Sequence, residues 1–120
     1  MILALAVGLA GSVGAVARYL VDGAVQDRTS GWFPFGTFVV NVTGSLIIGL
    51  VAGLVTNHVG GSAAKAIAGA GFCGGLTTWS TVSWETARLA EEGSTGVAAI
   101  FTVTNLAACL LVAGVAFLIG

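Results

Sequence analysis

The sequence has very little charge. Four of its 120 residues are Lys or Arg and five are Asp or Glu, so charged residues make up 8% of the chain, against about 25% in soluble domains. The net charge of −1 gives no basic surface that would attract nucleic acid. An ordinary soluble domain is also excluded, because a chain of this size exposes much of its surface to its solvent. We therefore expect that solvent to be mostly lipid.

Residues on which many enzymes and zinc proteins depend are also scarce. The chain has one histidine, His58, and two cysteines, Cys73 and Cys109, which both lie in apolar runs. The spacing fits no zinc site. Two buried apolar thiols are a better interpretation than a disulfide, which remains open. His58 falls in a predicted loop with no nucleophile beside it, so the sequence does not predict an enzyme.

Hydrophobic residues are abundant, at 57% of the chain with a mean hydropathy of +1.04. A bilayer is crossed by about 20 apolar residues in a helix, and the sequence holds four segments of roughly that length. They cover approximately residues 2–20, 35–56, 63–88 and 96–119. We expect an all-α integral membrane protein, a single membrane domain over residues 1–120, with the third segment the least uniform.

Small residues recur every fourth position in these segments. Such stripes let helix backbones approach closely in lipid. Four helices enclose little volume, so 19 glycines also suggest packing against a second subunit. The clearest stripes are Ser45, Gly49 and Gly53 in the second segment, and Ala66, Ala70 and Gly74 in the third.

The third segment combines paired glycines with a run of hydroxyls. Gly74-Gly75 lies in the middle of the span, and each glycine weakens a helix by about 1 kcal/mol relative to Ala. A break there would free backbone carbonyls that can bind a cation. The hydroxyls then satisfy the broken backbone, line a path, or bond back to their own helix. They belong to Thr77, Thr78, Ser80, Thr81 and Ser83.

Two further polar residues fall inside predicted helices. Asn41 shares a face of the second segment with Thr37 and Ser45. It is either a packing hydrogen bond or a donor that lines a pore, and the stacked polar face favours the pore. Arg18 either extends to the membrane interface or has a structural role, donating to carbonyls or attracting anions.

No Asp or Glu is predicted at the centre of a helix. Asp22 falls in a predicted loop, and Glu85 falls near the end of the third segment. Small multidrug transporters have a similar length and four helices, but they rely on a carboxylate inside the membrane. The sequence therefore argues against that alternative.

Three motifs resemble the Fluc (CrcB) fluoride channel family: "GxxGAxxRY" at Gly11–Tyr19, "GTFxVNxxGS" at Gly36–Ser45 and "GFCGGLTTxST" at Gly71–Thr81. The resemblance covers essentially the whole chain. It implies four transmembrane helices per subunit with a broken third helix, and an antiparallel dimer with two anion pores. It also implies passive export of fluoride across the plasma membrane.

The resemblance also implies roles for individual residues. A sodium ion at the dimer centre would be held by the backbone carbonyls of Gly74 and Thr77 from both subunits. Arg18 matches the arginine of the first motif, and the resemblance implies a structural role for it. The anion pore would be lined at the positions of Asn41, Thr37, Trp79, Ser80, Thr81, Val82 and Glu85.

The chain departs from the family at the pore. The family pattern "TTFSTF" is here "TTWSTV", so Trp79 replaces one phenylalanine and Val82 the other. Phe101 and Cys109 stand where the family usually has a tyrosine and a serine. We hypothesise that the chain pairs with a related subunit that supplies the missing phenylalanine, although a homodimer stays open. A non-conducting structural or regulatory subunit is the alternative.

Overall fold

The structure is a computed structural model that describes residues 1–29, 33–57 and 61–120. These ranges form helices and short connections without a strand, and His58 lies outside them. In chain order the elements are α1 (Ile2–Arg28), α2 (Phe35–Asn57), α3 (Ser62–Lys65), a π-helix (Ala66–Cys73), α4 (Gly74–Leu76), α5 (Trp79–Glu91) and α6 (Thr95–Ile119).

Three of the described helices, α1, α2 and α6, are long and apolar enough to cross a membrane. Each has at least 23 residues, and a helix rises about 1.5 Å per residue against a hydrocarbon core of about 30 Å. These helices confirm the prediction of an all-α, multi-pass membrane protein. The predicted third span is divided among α3, the π-helix, α4 and α5.

Helix α1 is longer than predicted. The predicted first segment ends near Leu20, but the helix continues to Arg28. Residues 21–28 contain no proline, and Arg28 lies in the last turn, where a positive charge interacts favourably with the helix dipole. Asp22 therefore lies in a helix that packs against its neighbours, and its predicted place in a loop was wrong.

The expected break in the third segment is present, but not at the paired glycines. Gly74 has helical backbone angles, φ −62° and ψ −38°. The chain becomes extended at Thr77 (φ −85°, ψ 160°) and Thr78 (φ −154°, ψ 123°). Gly75 instead allows a close helix contact, because a Cβ there would clash with the carbonyl oxygen of Gly11. The paired glycines serve packing, and the break follows them.

Two close helix pairs build the subunit. The π-helix and α4 pack on α1, where the buried Gly14 approaches the backbone of Phe72. Helix α2 packs on α6, and a Cβ on Gly49 would clash with the backbone of Ala113. The α2 stripe is thus confirmed as a packing face. On the other stripe Ala70 and Gly74 are exposed, so that face does not pack within the chain.

The apolar core lies between α5, α6 and the residues that precede α2. Phe101 is fully buried, and its ring meets that of Phe33 edge to face, with centroids 5.4 Å apart. Val82 is 1% exposed and packs in the same cluster, as do Leu89 and Ala98. The start of α5 is therefore fixed by apolar packing on its inner face.

Candidate functional site at the helix break

Asn41 binds the backbone at the helix break. Its side chain is 6% exposed. Thr78 N–H donates to Asn41 Oδ1 at 2.8 Å, and Asn41 Nδ2 donates to the Thr78 carbonyl at 3.1 Å. The second Nδ2 proton is available to Asn105 Oδ1, 3.0 Å away. The amide of Asn41 thus pairs with both backbone groups of Thr78, and it connects α2 to α6.

As at any helix end, the break leaves the last carbonyl groups without helical donors. In a continuous helix the Gly74 carbonyl would accept from Thr78 N–H, which donates to Asn41 instead. The Thr77 carbonyl would accept from Thr81 N–H, which donates to Thr78 Oγ1 at 3.1 Å as a helix cap. Gly74 and Thr77 are the residues whose carbonyls were predicted to bind sodium. Both oxygens have lost their helical donors, so the chemistry of the donor set fits a small hard cation.

Gly74 and Thr77 lie on a cavity of about 360 Å³, which we call the break cavity. Its wall combines α2, the π-helix, the break and α6. Cys73 and Cys109 both line it, and both thiols are free. Cys73 is buried, as predicted, whereas Cys109 is only partly buried. Polar groups come from Asn41, Ser45, Thr77, Thr78 and Asn105.

A second polar contact joins α2 to α5. Thr37 Oγ1 donates to Glu85 Oε1 at 3.0 Å, and both side chains are buried. Glu85 Oε2 is buried and has no hydrogen-bond partner among the described residues. Glu85 is therefore a carboxylate inside the packed subunit, although the sequence placed it near the end of a span.

Thr37 also lines a cavity of about 230 Å³, which we call the Arg18 cavity. Arg18 and Asp22 reach it from α1, and Thr78 and Thr81 reach it from the break and α5. Sequence reasoning missed Asp22 as a member of this site. The signal that could have found it is the run of residues without proline after Leu20, which allows α1 to continue.

The hydroxyl run divides into two groups. Thr77 Oγ1 and Ser83 Oγ donate to carbonyls one turn earlier, at 2.8 and 3.0 Å, which is the backbone-bonding alternative. Thr78 instead joins a side-chain network, with its Oγ1 atom 3.1 Å from Ser80 Oγ and 3.0 Å from Thr81 Oγ1. Only the second group presents hydroxyls to one another at the break.

The seven residues predicted to line a pore do not share one surface of the subunit. Thr37, Asn41 and Glu85 are buried and hydrogen-bonded, whereas Val82 is buried in the apolar core. Trp79 is 55% exposed and Ser80 is also exposed, on the outer side of the same helix. Successive residues of a helix point about 100° apart. Neighbouring residues of α5 therefore face different sides, and Val82 reaches the core while Trp79 and Ser80 do not.

These features define the class of protein: a multi-pass helical membrane protein with a broken, hydroxyl-rich helix joined to a buried asparagine. Within that class, residues 5–117 match the family model of the CrcB-like protein, Camphor Resistance (CrcB). The chain belongs to this family, as the sequence motifs predicted. Membership, rather than the absence of a buried carboxylate, decides against the small multidrug transporter.

Several curated proteins are similar over most of the chain. "Fluoride-specific ion channel FluC 1" of Leifsonia xyli subsp. xyli is 42% identical over 116 residues, 97% of this chain and 85% of that protein. "Fluoride-specific ion channel FluC 2" of Mycolicibacterium paratuberculosis is 40% identical over 114 residues, 95% and 87% of the two chains. "Fluoride-specific ion channel FluC 2" of Cutibacterium acnes is 53% identical over 83 residues, 68% of each.

Proposed function

We propose that the chain is a subunit of a passive, fluoride-selective channel in the plasma membrane that exports fluoride and lowers its cytoplasmic concentration. The observation that carries this proposal is the similarity to fluoride-specific channels over 97% of the chain. The buried polar contacts at the break support it, because polar groups at membrane depth are usually functional. Fluoride would be the transported ion, and no chemical conversion is involved.

The polar groups around the break suit a small, strongly hydrated anion. A pore must replace the hydration shell with hydrogen-bond donors, and weak repeated sites favour passage over tight binding. The hydroxyls of Ser80 and Thr81 are donors of this kind, whereas the single hydroxyl proton of Thr37 is donated to Glu85. The side-chain amide of Asn41 is committed to Thr78 and Asn105, so its contribution to the path is to hold these donors in place.

We also propose that the subunit crosses the membrane four times, with α3 to α5 forming the broken third crossing. The channel would be an antiparallel dimer. The stripe with Ala70 and Gly74, which is exposed in the single chain, supports a second subunit there, since small residues let helices approach closely in lipid. The break cavity adjoins this stripe, so a partner would cover it.

A sodium ion at the centre of that dimer is part of the proposal. The carbonyls of Gly74 and Thr77, from each subunit, would hold it. This assignment is supported by the N–H groups of Thr78 and Thr81, which donate to side chains and not to the carbonyls of Gly74 and Thr77. Bound there, the ion would supply positive charge that holds two breaks and two subunits together.

The partner is either a second copy or a related chain. Val82 supports the related chain, because it replaces the second phenylalanine of the family pattern and is buried in the subunit's own core. The same observation favours the alternative of a structural or regulatory subunit that does not conduct by itself. The relatives named above include both FluC 1 and FluC 2 proteins.

The experiment is fluoride efflux from liposomes, recorded with a fluoride electrode. One set of liposomes holds this chain alone, one holds it with a paralogous subunit, and one holds no protein. Fast efflux with this chain alone supports a homodimeric channel, and efflux only with the paralogue supports a heterodimer. A chain that is silent alone and does not change the paralogue's efflux is not a channel subunit.

A further inference from the structure

The Arg18 cavity contains a second acidic side chain that the motifs do not account for. Asp22 lines the cavity, and its Oδ1 atom is buried without a hydrogen-bond partner among the described residues. Gly36, in the first turn of α2, lies so close to this carboxylate that a Cβ would clash with it. The Oδ1 atom of Asp22 is therefore enclosed between α1 and the start of α2 by close packing.

Glu85 is connected to the same cavity through Thr37. Thr37 lines the cavity and donates to Glu85 Oε1 at 3.0 Å. The Glu85 side chain is 7% exposed, and its Oε2 atom is buried without a partner in the described part of the chain. Asp22 and Glu85 interact electrostatically. Two carboxylates thus each hold one buried oxygen with no donor, which is costly when both are ionised.

The other charges around this pair are few. Arg18 lines the cavity, and Arg88 interacts with Glu85 from the next turn of α5. Tyr19 on α1 is the remaining titratable side chain at the cavity. Helix α2 has no charged or titratable side chain, and α6 has only Cys109, which lines the break cavity. The first turn of α2 also favours a negative charge on Asp22.

We propose that Asp22 and Glu85 form a proton-binding site, and that its occupancy sets how readily an anion enters the Arg18 cavity. One proton from water binds one carboxylate oxygen, since each carboxylate has a buried oxygen with no donor among the described residues. Without the proton, the two negative charges are opposed by Arg18 at the cavity and by Arg88 beside Glu85. Proton binding removes one negative charge and adds an O–H donor.

The consequence for transport rests on the proposed function. Local charge changes the local concentration of a small ion by about tenfold or more. Fluoride flux is therefore greater when the site holds its proton. Asp22→Asn removes one carboxylate while keeping the shape of the side chain, so this variant has the charge of the protonated site at every pH.

The first experiment measures fluoride efflux from liposomes with equal pH inside and outside, between about pH 8 and about pH 5.5, so that binding of a proton by a buried carboxylate can be followed. Protein-free liposomes report the leak of neutral hydrogen fluoride. The wild-type flux is expected to rise about tenfold as the pH falls. Asp22→Asn is expected to conduct at the acid rate throughout. Asp27→Asn, an exposed carboxylate on the same helix, is expected to follow the wild type.

The second experiment detects the proton directly, so it does not depend on transport. Infrared difference spectra of the reconstituted chain are expected to show a protonated carboxyl band that titrates in the same pH range. The band is expected to be lost in both Asp22→Asn and Glu85→Gln and kept in Asp27→Asn. Absence of the band in the wild type, or equal flux profiles for the wild type and Asp22→Asn, overturns the proton site. A band without fluoride flux supports the site and counts against the channel.

Discussion

Asn41 and Thr78 form two hydrogen bonds across 37 positions of the sequence, one in each direction, at 2.8 and 3.1 Å. The amide of Asn41 thus replaces the helical partners that the backbone of Thr78 loses at the break. This pair fixes where the third predicted segment stops being helical. It also fixes which carbonyls lose their helical donors.

Replacing Asn41 is expected to destabilise the subunit. In Asn41→Ala the N–H and carbonyl of Thr78 and the side-chain oxygen of Asn105 lose their partner. Each buried polar group left unpaired costs about 1–3 kcal/mol, so we expect a loss of at least 2 kcal/mol in the free energy of unfolding. The measurement is chemical denaturation in detergent micelles.

Thr43→Ala is the matched control, because Thr43 is exposed on the same helix. It is expected to change stability by less than about 0.5 kcal/mol. Flux separates a pore from a scaffold: a conducting subunit is expected to lose fluoride flux in Asn41→Ala, and a scaffold only its assembly. Unchanged stability in Asn41→Ala would mean that the two hydrogen bonds with Thr78 do not hold the break.

Thr37→Val tests the contact with Glu85. Valine keeps the shape of threonine but removes the hydroxyl that donates to Glu85 Oε1. A hydrogen bond to a charged group contributes about 1.5–3 kcal/mol to stability, so we expect the free energy of unfolding to fall by about that amount and fluoride efflux to fall with it. Thr37→Ser retains the donor and is expected to stay within about threefold of the wild type. Equal efflux from the valine and serine variants would exclude a role for this hydroxyl in conduction.

Restoring the family's phenylalanine at Val82 is expected to fail in the single subunit. Val82 is 1% exposed against Phe33 and Phe101, and inserting extra atoms into a packed core costs about 1–3 kcal/mol. Val82→Phe should therefore lower the free energy of unfolding. Adding Phe101→Leu should recover part of the loss, since the two sites share one space.

Trp79→Phe is the control for the other departure from the pattern. Trp79 is 55% exposed, so its replacement is expected to change stability by less than about 0.5 kcal/mol. A Val82→Phe variant as stable as the wild type would show that the core around Phe101 has room for another ring. In that case packing in the subunit's own core would not explain why the chain has valine at position 82.

Gly75→Ala tests the contact between α4 and α1. A Cβ on Gly75 would clash with the backbone of Gly11, and overpacking costs about 1–3 kcal/mol. Gly23→Ala on α1 meets nothing within 4 Å, so the better helix propensity of Ala is expected to raise stability by up to about 1 kcal/mol. Thermal unfolding in detergent measures both, and equal shifts would contradict the close contact.

Removing sodium tests the carbonyls of Gly74 and Thr77. If they hold the ion, exchanging sodium for a large organic cation is expected to lower the unfolding temperature of the assembled channel, because a ligand bound only to the folded state stabilises it. Lithium, at equal ionic strength, controls for salt effects. An unfolding temperature independent of sodium concentration would remove the ion from the proposal.

The break shows how far local sequence reasoning reaches. Paired glycines correctly indicated a disrupted helix, because glycine weakens helices wherever it occurs. They did not indicate the position, since Gly75 is committed to a contact with α1. The actual break depends on Asn41, a residue of another helix. No local propensity carries that information.

Asp22 and Glu85 show the same limit for charge. The sequence placed Asp22 in a loop and Glu85 near the end of a segment, where a carboxylate meets water at little cost. The burial of Asp22 Oδ1 depends on the continuation of α1 to Arg28 and on the packing of Gly36 against Asp22, and Glu85 is buried against Thr37 of α2. A hydropathy pattern locates the ends of apolar segments, but it does not show which side of a helix end is covered.

The sequence by itself determined the solvent, the helical class and the family. Low charge and apolar segments of membrane length leave little choice of environment, and long motifs identify relatives without a structure. The tertiary structure decided the partners: Asn41 with Thr78, Thr37 with Glu85, and Val82 with the aromatic core. These pairs lie on different elements, and which helix faces meet is settled only when all the helices pack together.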